Sequence, residues 1–318
     1  MWFFIRHAES ANNATNNNDS TDLGEKYNDE RVPDPRLTEL GRIQAEKTGL
    51  YLASESVKVW KQEREDQKSM NLANPTFKAI YCSPMQRSLE TANEIQKILS
   101  IPVFVNPDLC EVGGVFKGRR HVYSPRESKE VCSGKKRSEI MEEFPNFQLD
   151  DRITEKGWWG KPQETFKEAS ERAQKVAELL WEISYEDLQK KGTEYQGNTN
   201  ILISHGLFQD MIMKRLFMHR SPLPALEESA IFPCENCAIS QIALYEHNIR
   251  QYEDTSHKDH SQSNLRRVCI CIKWNSSHHL EDNERTTTRI YPNSRRNQQN
   301  TKSSSSSSGS GSNTNHHT

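Results

Sequence analysis

The chain begins MWFFIRHAES, residues 1–10, and this stretch sets the expected centre of the fold. Trp2 to Ile5 make a short run of apolar and aromatic side chains, which is typical of a buried β-strand. Arg6 and His7 follow it directly. Because binding and catalytic groups in α/β sheets gather at the carboxyl ends of the strands, this pair is a candidate for a functional site.

The rest of the chain alternates between short apolar runs and longer amphipathic segments. The apolar runs predict strands at 77–83, 101–106, 199–206, 237–246 and 266–274. The amphipathic segments predict helices at 37–54, 83–100, 163–184 and 207–217. This alternation favours an α/β fold in which helices are layered on a sheet. The polar stretch at 12–35 is expected to form a loop, and the polar stretch at 55–76 is expected to be an excursion between elements.

Capping residues predict where two of the helices begin. Thr38 is a candidate N-cap for the first of them. For the second, we expect Ser83 to act as the cap, Pro84 to occupy the first helical position and Gln86 to complete a capping box.

Composition narrows the classes of protein to which the chain can belong. Its 318 residues include 33% hydrophobic ones, and its formal net charge is −2, which gives no general attraction to nucleic acid or to an anionic membrane. No apolar run approaches the roughly eighteen residues that span a bilayer. A signal peptide is not expected either, because Arg6 interrupts a very short apolar run. We therefore expect a cytoplasmic protein that binds neither membranes nor nucleic acid.

The seven cysteines are expected to be reduced thiols, since their number is odd and no export signal is evident. Cys234 and Cys237 form a CxxC pair, and Cys269 and Cys271 form a CxC pair. The spacing of the second pair is typical of alternating side chains along a strand. A metal site would require both cysteine pairs to lie close together. No metal site is predicted.

Three junctions that follow predicted strands carry cationic or imidazole groups. Arg6 and His7 follow the first strand, Arg87 lies in the first turn of a helix after the second, and His205 follows the run NILIS. Brought together at one sheet edge, these groups would make a positive pocket beside a helix N-terminus, which is suited to a phosphoryl group. Arginine favours that ligand because its rigid fork donates two parallel hydrogen bonds.

Six segments resemble the histidine phosphatase superfamily, the phosphoglycerate mutase-like proteins of branch 1. In chain order they are RHAESANN (6–13), LTELGRIQA (37–45), YCSPMQRSLETA (81–92), LCEVGG (109–114), ILISHG (201–206) and WNSSHHL (274–280). Each segment is weak evidence alone, but six in the family's order are specific. The resemblance implies a three-layer α/β/α sandwich with a mostly parallel central sheet.

The resemblance also implies roles for individual residues. His7 would attack phosphorus and become phosphohistidine, while Arg6, Asn13, Arg87 and His205 would bind the phosphoryl group. Glu111 would give a proton to the leaving oxygen and, with His7 and His205, would complete the catalytic set. The chemistry requires no cofactor or metal. The expected activity is hydrolysis of a phosphate monoester, carried by a small molecule or a phosphoprotein.

Two departures from the family pattern keep alternatives open. Ala8 stands where the family usually has glycine, and it would strain the backbone if that position needed a positive φ. The run VGGVFKGRRHVYSP after Glu111 differs from that of the glycolytic mutases, which favours hydrolysis. A mutase-type phosphotransferase and a non-catalytic phosphate-binding protein of the same fold are the alternatives.

The expected domain organisation is one histidine phosphatase domain over 1–280 and a disordered low-complexity tail over 281–318. Residues 112–163 are expected to be irregular. Their basic run, from Lys117 to Lys136, is either a lid that binds further anionic groups on the substrate or a solvated loop. A solvated loop is the more common role of such a run.

Overall fold

The computed structural model describes residues 1–18, 32–54, 59–61, 71–73, 76–117, 131–189, 198–217, 232–248 and 265–286. The strands in these residues are β1 (Trp2–Arg6), β2 (Val59–Lys61), β3 (Asn71–Ala73), β4 (Thr76–Cys82), β5 (Val103–Val105), β6 (Phe147–Leu149), β7 (Asn198–Ser204), β8 (Ile239–Asn248) and β9 (Leu265–Ser276). The helices are α1 (Ala11–Asn18), α2 (Glu39–Ala53), α3 (Gln86–Leu99), α4 (Arg137–Glu143), α5 (Phe166–Gln189) and α6 (Gly206–Phe217). Short 3₁₀ turns cover Pro107–Leu109 and Asp282–Glu284.

Seven of the described strands form one sheet in the order β6-β5-β4-β7-β1-β8-β9, and β2 pairs with β3 separately. The pairs from β6 to β1 are parallel, whereas β8 and β9 are antiparallel additions at one edge. The first strand lies inside this sheet, with Phe4 opposite Leu202 of β7 and Ser240 of β8. The prediction of a buried strand at the start of the chain is confirmed, because Trp2 to Ile5 have no exposed surface.

Alternate side chains of β1 point to the two helical layers. Phe3 and Ile5 join the core cluster that contains Leu89 of α3. On the other face, the indole N–H of Trp2 donates to the hydroxyl of Ser184 on α5, at 2.9 Å. Because successive side chains of a strand point to opposite faces, β1 is covered on both sides, and the predicted three-layer α/β/α sandwich is confirmed.

Helix α2 packs directly on the segment that follows β1. Thr38 caps this helix as predicted, with its hydroxyl accepting the N–H of Gly41 at 3.0 Å. A Cβ at Gly41 would lie 2.1 Å from the carbonyl oxygen of Glu9, so only glycine allows this approach. One turn later, the Gln44 side chain accepts the Glu9 N–H at 2.8 Å. The glycine and glutamine of LTELGRIQA thus hold the backbone beside His7.

Two predictions about local structure are wrong. The predicted loop at 12–35 begins with α1, since the Ser10 carbonyl accepts the N–H groups of Asn13 and Ala14. Helix α3 begins at Gln86 rather than at Pro84, and the N–H of Gln86 is capped by Asp34, at 2.9 Å from Oδ1. A distant carboxylate therefore provides the cap expected from Ser83.

The region at 112–163 is more regular than predicted, because it contains α4 and the edge strand β6. Most of its basic run, at 118–130, lies outside the described residues. The prediction of a lid or a solvated loop there stays a prediction. The described residues continue past the predicted domain end at 280. Residues 281–286 pack on the domain, with the Glu284 carbonyl accepting from Gln44 at 2.6 Å and the Thr286 carbonyl from the Asn236 N–H at 3.0 Å.

The compact unit containing the sheet spans Met1–Thr288. The remainder of the predicted tail, 287–318, lies outside the described residues. Among the described helices, none combines the length and apolar character needed to cross a membrane. The seven cysteines are free thiols.

Candidate active site

Both ring nitrogens of His7 have defined partners. Nδ1 lies 2.7 Å from the carbonyl oxygen of Ala8, which can only accept, so Nδ1 carries the proton. Nε2 accepts the Nε–H of Arg87 at 3.1 Å. The ring is therefore a neutral imidazole whose lone pair is on Nε2.

The electrostatic surroundings of His7 maintain this neutral state. Burial lowers the pKa of His7 well below its usual value, and the charges of Arg87 and Arg6 lower it further. The hydrogen bond to Ala8 acts in the opposite direction but is the smallest of these effects. A nucleophilic nitrogen is thus available at neutral pH without prior deprotonation.

Arg6 is held at the end of β1 by the turn that precedes β8. Its Nη1 donates to the carbonyl of Cys234 at 2.7 Å, and its own carbonyl accepts the N–H of Cys237 at 3.0 Å. The CxxC segment therefore contacts Arg6 through its backbone. Burial raises the pKa of both thiols to about 12, so neither is a thiolate at neutral pH.

No three His, Cys, Asp or Glu side chains within the described ranges are grouped so as to hold a metal ion. The CxC cysteines, Cys269 and Cys271, lie on β9, in the strand predicted for them.

Arg87 lies between His7 and Asp34. It is in the first turn of α3, is 7% exposed, and reaches His7 with Nε. Its Nη1 lies 3.9 Å from Oδ1 of Asp34, the oxygen that caps Gln86. Burial raises the pKa of the Asp34 carboxyl, although Arg87 opposes this effect. The position of the guanidinium is thus fixed by three contacts. These are its attachment to α3, Asp34 in the segment before α2, and His7.

His205 faces His7 across the end of the sheet, with ring centroids 5.0 Å apart. Its Nε2 lies 2.9 Å from the hydroxyl of Ser83, whereas its buried Nδ1 has no hydrogen-bond partner among the described residues. Burial lowers the pKa of His205 well below its usual value, followed by the charge of Arg87. The neutral imidazole of His205 thus has one buried nitrogen, Nδ1, that can form a hydrogen bond with a ligand.

Asn13 is oriented by three donors to its side-chain oxygen. Oδ1 accepts from the N–H of Ser10 at 3.1 Å, from the Ser10 hydroxyl at 3.0 Å and from the Asn236 amide at 3.2 Å. The same Asn236 amide donates to the His7 carbonyl at 2.9 Å. Asn13 can therefore offer a ligand only a donor, through Nδ2.

Glu111 is held at the start of α6 by one of its two oxygens. Oε1 accepts the N–H of Val112 at 2.8 Å and that of Phe208 at 3.1 Å. Both of these hydrogen bonds fall on the same oxygen of the carboxyl. Since two donors already point at Oε1, a proton on this carboxyl belongs on Oε2.

Arg6, His7 and His205 lie at the carboxyl ends of β1 and β7, and Asn13 and Arg87 lie in the helices α1 and α3 that follow β1 and β4. Glu111 lies just after the 3₁₀ turn that follows β5.

The structure also adds three residues to which the sequence analysis gave no role in the site, namely Ser83, Asn236 and Asp34. Ser83 is the last residue of a predicted strand and could have been recognised from that position. Asn236 lies between the two cysteines of the CxxC segment, and its position in the sequence does not indicate that it contacts His7.

A family model, described as histidine phosphatase superfamily (branch 1), matches residues 66–254, which is more than half of the chain. The chain belongs to the histidine phosphatase superfamily. The matched residues include Arg87, Glu111 and His205, whereas Arg6, His7 and Asn13 precede them. The mostly parallel sheet accords with a fold of the phosphoglycerate mutase type.

Solved structures to which the chain is similar include a protein described as mycobacterial hydrolase 2, at 16% identity and a TM-score of 0.47, covering 89% of this chain and 93% of that one. A mycobacterial glucosyl-3-phosphoglycerate phosphatase with VO3 is 17% identical, with a TM-score of 0.47 and coverage of 87% and 99%. A putative alpha-ribazole-5'-P phosphatase from Escherichia coli is 16% identical, with a TM-score of 0.45 and coverage of 86% and 96%. No curated protein sequence matches the chain.

The structure answers the question raised by Ala8, which occupies the usual glycine position of this superfamily. The non-glycine residues with positive φ in the described part of the chain are Ser100, Cys237 and Asn275. Ala8 therefore has an ordinary backbone conformation. Its N–H donates to the hydroxyl of Thr91 at 3.0 Å, and its methyl group is buried.

Proposed function

We propose that the protein hydrolyses a phosphate monoester through a phosphohistidine formed on Nε2 of His7. The observation that carries this proposal is the pair of contacts on the His7 ring, with Nδ1 on the Ala8 carbonyl and Nε2 under Arg87. They define a neutral imidazole with its lone pair directed at a buried guanidinium. A phosphoryl group bound by that guanidinium would lie next to the nucleophilic nitrogen.

The other cationic and polar groups complete the binding site in this proposal. Arg6 and Arg87 neutralise the phosphoryl oxygens, and His205 donates from Nδ1 when its Nε2 accepts the Ser83 hydroxyl proton. Asn13 adds its amide N–H. These donors are already fixed by the fold, so they stabilise charge that develops in the transition state without further reorganisation.

The proposed reaction has two steps. In the first, the Nε2 lone pair of His7 forms a bond to phosphorus, and the ester P–O bond breaks with its electron pair on the leaving oxygen, which takes a proton from Oε2 of Glu111. In the second, water forms a bond to phosphorus, the P–N bond breaks and its electron pair returns to Nε2. The Glu111 carboxylate takes the proton from that water.

The expected substrate class is a phosphorylated small molecule or a phosphoprotein. The mutase alternative shares the first step but replaces water with a hydroxyl group of an acceptor. Enzyme supplied with a phosphate ester and an excess of acceptor alcohol distinguishes the two. Hydrolysis predicts release of inorganic phosphate in step with the leaving group, whereas a mutase predicts a phosphorylated acceptor.

Turnover of p-nitrophenyl phosphate by the His7→Ala variant tests the proposal. We expect a loss to the background rate, because the variant lacks the nucleophile. His278→Ala is a suitable control, since His278 lies outside the site, against Ser276 and Tyr51, and its variant should keep the parent rate. A His7→Ala variant as active as the parent would overturn the mechanism. A parent protein that binds inorganic phosphate but turns over no ester would support the non-catalytic alternative.

A further inference from the structure

A buried ion pair on the far side of Glu111 has no part in the two steps above. Glu164 precedes α5 and Arg172 lies within it, and their side chains are 1% and 9% exposed. Nε of Arg172 donates to Oε1 of Glu164 at 2.9 Å, and Nη2 donates to Oε2 at 2.6 Å. This is the bidentate geometry in which an arginine–carboxylate pair is strongest.

The third nitrogen of the Arg172 guanidinium reaches the chain just before Glu111. Nη1 donates to the carbonyl of Asp108 at 2.6 Å and to that of Cys110 at 3.0 Å. Its partner Glu164 donates its backbone N–H to the carbonyl of Gly113, at 3.3 Å. The ion pair thus holds the backbone on both sides of Glu111.

Arg172 also touches the residue that holds the Glu111 carboxyl. Its guanidinium carbon lies 3.8 Å from the ring centroid of Phe208, which is the stacking expected of a cation over an aromatic face. The backbone N–H of Phe208 donates to Oε1 of Glu111 at 3.1 Å. The pair therefore acts on both the main chain of Glu111 and the donor that orients its side chain.

We infer that Arg172, paired with Glu164, is a positioning residue for the proton donor of this enzyme. The inference rests on the proposed function of Glu111. Arg172 contacts none of the phosphoryl-binding groups by hydrogen bond within the described residues. Its effect should therefore fall on proton transfer to the leaving oxygen and leave phosphoryl binding intact.

Leaving-group dependence separates this role from a merely structural one. Phenolate leaves slowly unless it is protonated, whereas 2,4-dinitrophenolate leaves without help from an acid. A displaced proton donor therefore lowers kcat/KM for phenyl phosphate alone. Since general acid catalysis contributes about 10²- to 10⁴-fold, we expect Arg172→Lys to lower that value about tenfold or more. For 2,4-dinitrophenyl phosphate we expect a change of less than about threefold, because that reaction does not depend on general acid catalysis.

The full chain should be compared as parent, Arg172→Lys, Glu111→Gln and the double variant. If Arg172 acts through Glu111, the lysine substitution has little further effect on phenyl phosphate once Glu111 is glutamine. Arg137→Lys is the matched control, because Arg137 also joins two backbone carbonyls, those of Asp150 and Ile153. This control should keep the parent rates on both esters.

Each result bears on the inference. Equal losses on both esters in Arg172→Lys, or losses that multiply with those of Glu111→Gln, would show a structural role and overturn it, leaving the proposed function intact. A Glu111→Gln variant without selective loss on phenyl phosphate would overturn both. If Arg172→Lys does not fold, Glu164→Gln, which retains the carbonyl contacts of Arg172, should show a smaller selective loss, and an equal loss on both esters would overturn the inference.

Discussion

Arg87 donates its Nε–H to Nε2 of His7 at 3.1 Å, although the two residues are 80 positions apart in the chain. The contact joins the end of β1 to the first turn of α3. It places a permanent positive charge beside an imidazole that burial already keeps neutral. The same nitrogen that accepts this hydrogen bond is the proposed nucleophile, so the geometry would couple the proposed binding of the phosphoryl group by Arg87 to the proposed attack by His7.

Replacement of Arg87 by lysine tests this coupling. Lysine keeps the charge but lacks the planar fork, so it cannot contact both His7 and a phosphoryl oxygen in the same way. We expect kcat/KM for p-nitrophenyl phosphate to fall about 10²- to 10³-fold, as for loss of one transition-state donor. Arg42→Lys, at a half-buried position on α2 that faces Glu90 and lies outside the site, serves as the control. An unchanged rate in Arg87→Lys would remove Arg87 from the proposed site.

Ala8→Gly should leave the activity unchanged. Because Ala8 already has an ordinary φ, glycine brings no relief of strain. It adds backbone freedom to the unfolded chain, and the free energy of unfolding should fall by about 0.5 to 1 kcal/mol. Urea denaturation and steady-state kinetics measure the two quantities. A large gain in activity would show that Ala8 distorts the site.

The free energy of unfolding should depend on pH because His7 and His205 are buried as neutral rings. The native state lowers both pKa values, while the unfolded chain binds protons near pH 6.5. Stability is therefore fully present above about pH 6.5 and falls as the pH decreases toward the lowered native values. Urea denaturation from pH 5 to 8 should show the free energy of unfolding falling as the pH decreases below about 6.5. The His7→Asn variant should have a slope smaller by about 1 kcal/mol per pH unit between pH 5 and 6, and identical slopes would contradict the burial of a neutral His7.

Truncations test the boundary of the domain. A chain ending at residue 288 keeps the contacts of Glu284 and Thr286 with Gln44 and Asn236, and we expect parent stability and activity. A chain ending at residue 280 loses them. Since each such hydrogen bond contributes about 1 kcal/mol, its free energy of unfolding should fall by about 2 to 4 kcal/mol. Equal thermal midpoints for the two chains would show that residues 281–286 do not stabilise the domain.

Much of this arrangement could be predicted from the sequence because its signals are local. The run from Trp2 to Ile5 identifies β1, Thr38 identifies the start of α2, and the strand ends identify His7 and His205. Helix and strand periodicity needs only neighbouring residues, and the order of the elements then fixes which strand ends meet.

The contacts that refine the site could not be predicted, because they join residues far apart in the chain. Asp34 caps α3 from 52 positions away, and Asn236 reaches the His7 carbonyl from 229 positions away. The contact between Arg172 and the Cys110 carbonyl is of the same kind, since an arginine on an amphipathic helix does not reveal which carbonyls it meets. Only the packing of the helices on the sheet selects these partners.

Covalent phosphorylation of His7 can be observed by trapping the intermediate. The full chain is mixed with p-nitrophenyl phosphate, quenched within milliseconds in strong base, in which phosphohistidine survives, and digested for mass spectrometry. We predict one added phosphoryl group on the peptide that contains His7, its loss on acid treatment, and no such group in His7→Ala. A phosphoryl group on another residue, or rapid hydrolysis with no phosphorylated His7 in either the steady state or the first turnover, would rule out His7 as the nucleophile.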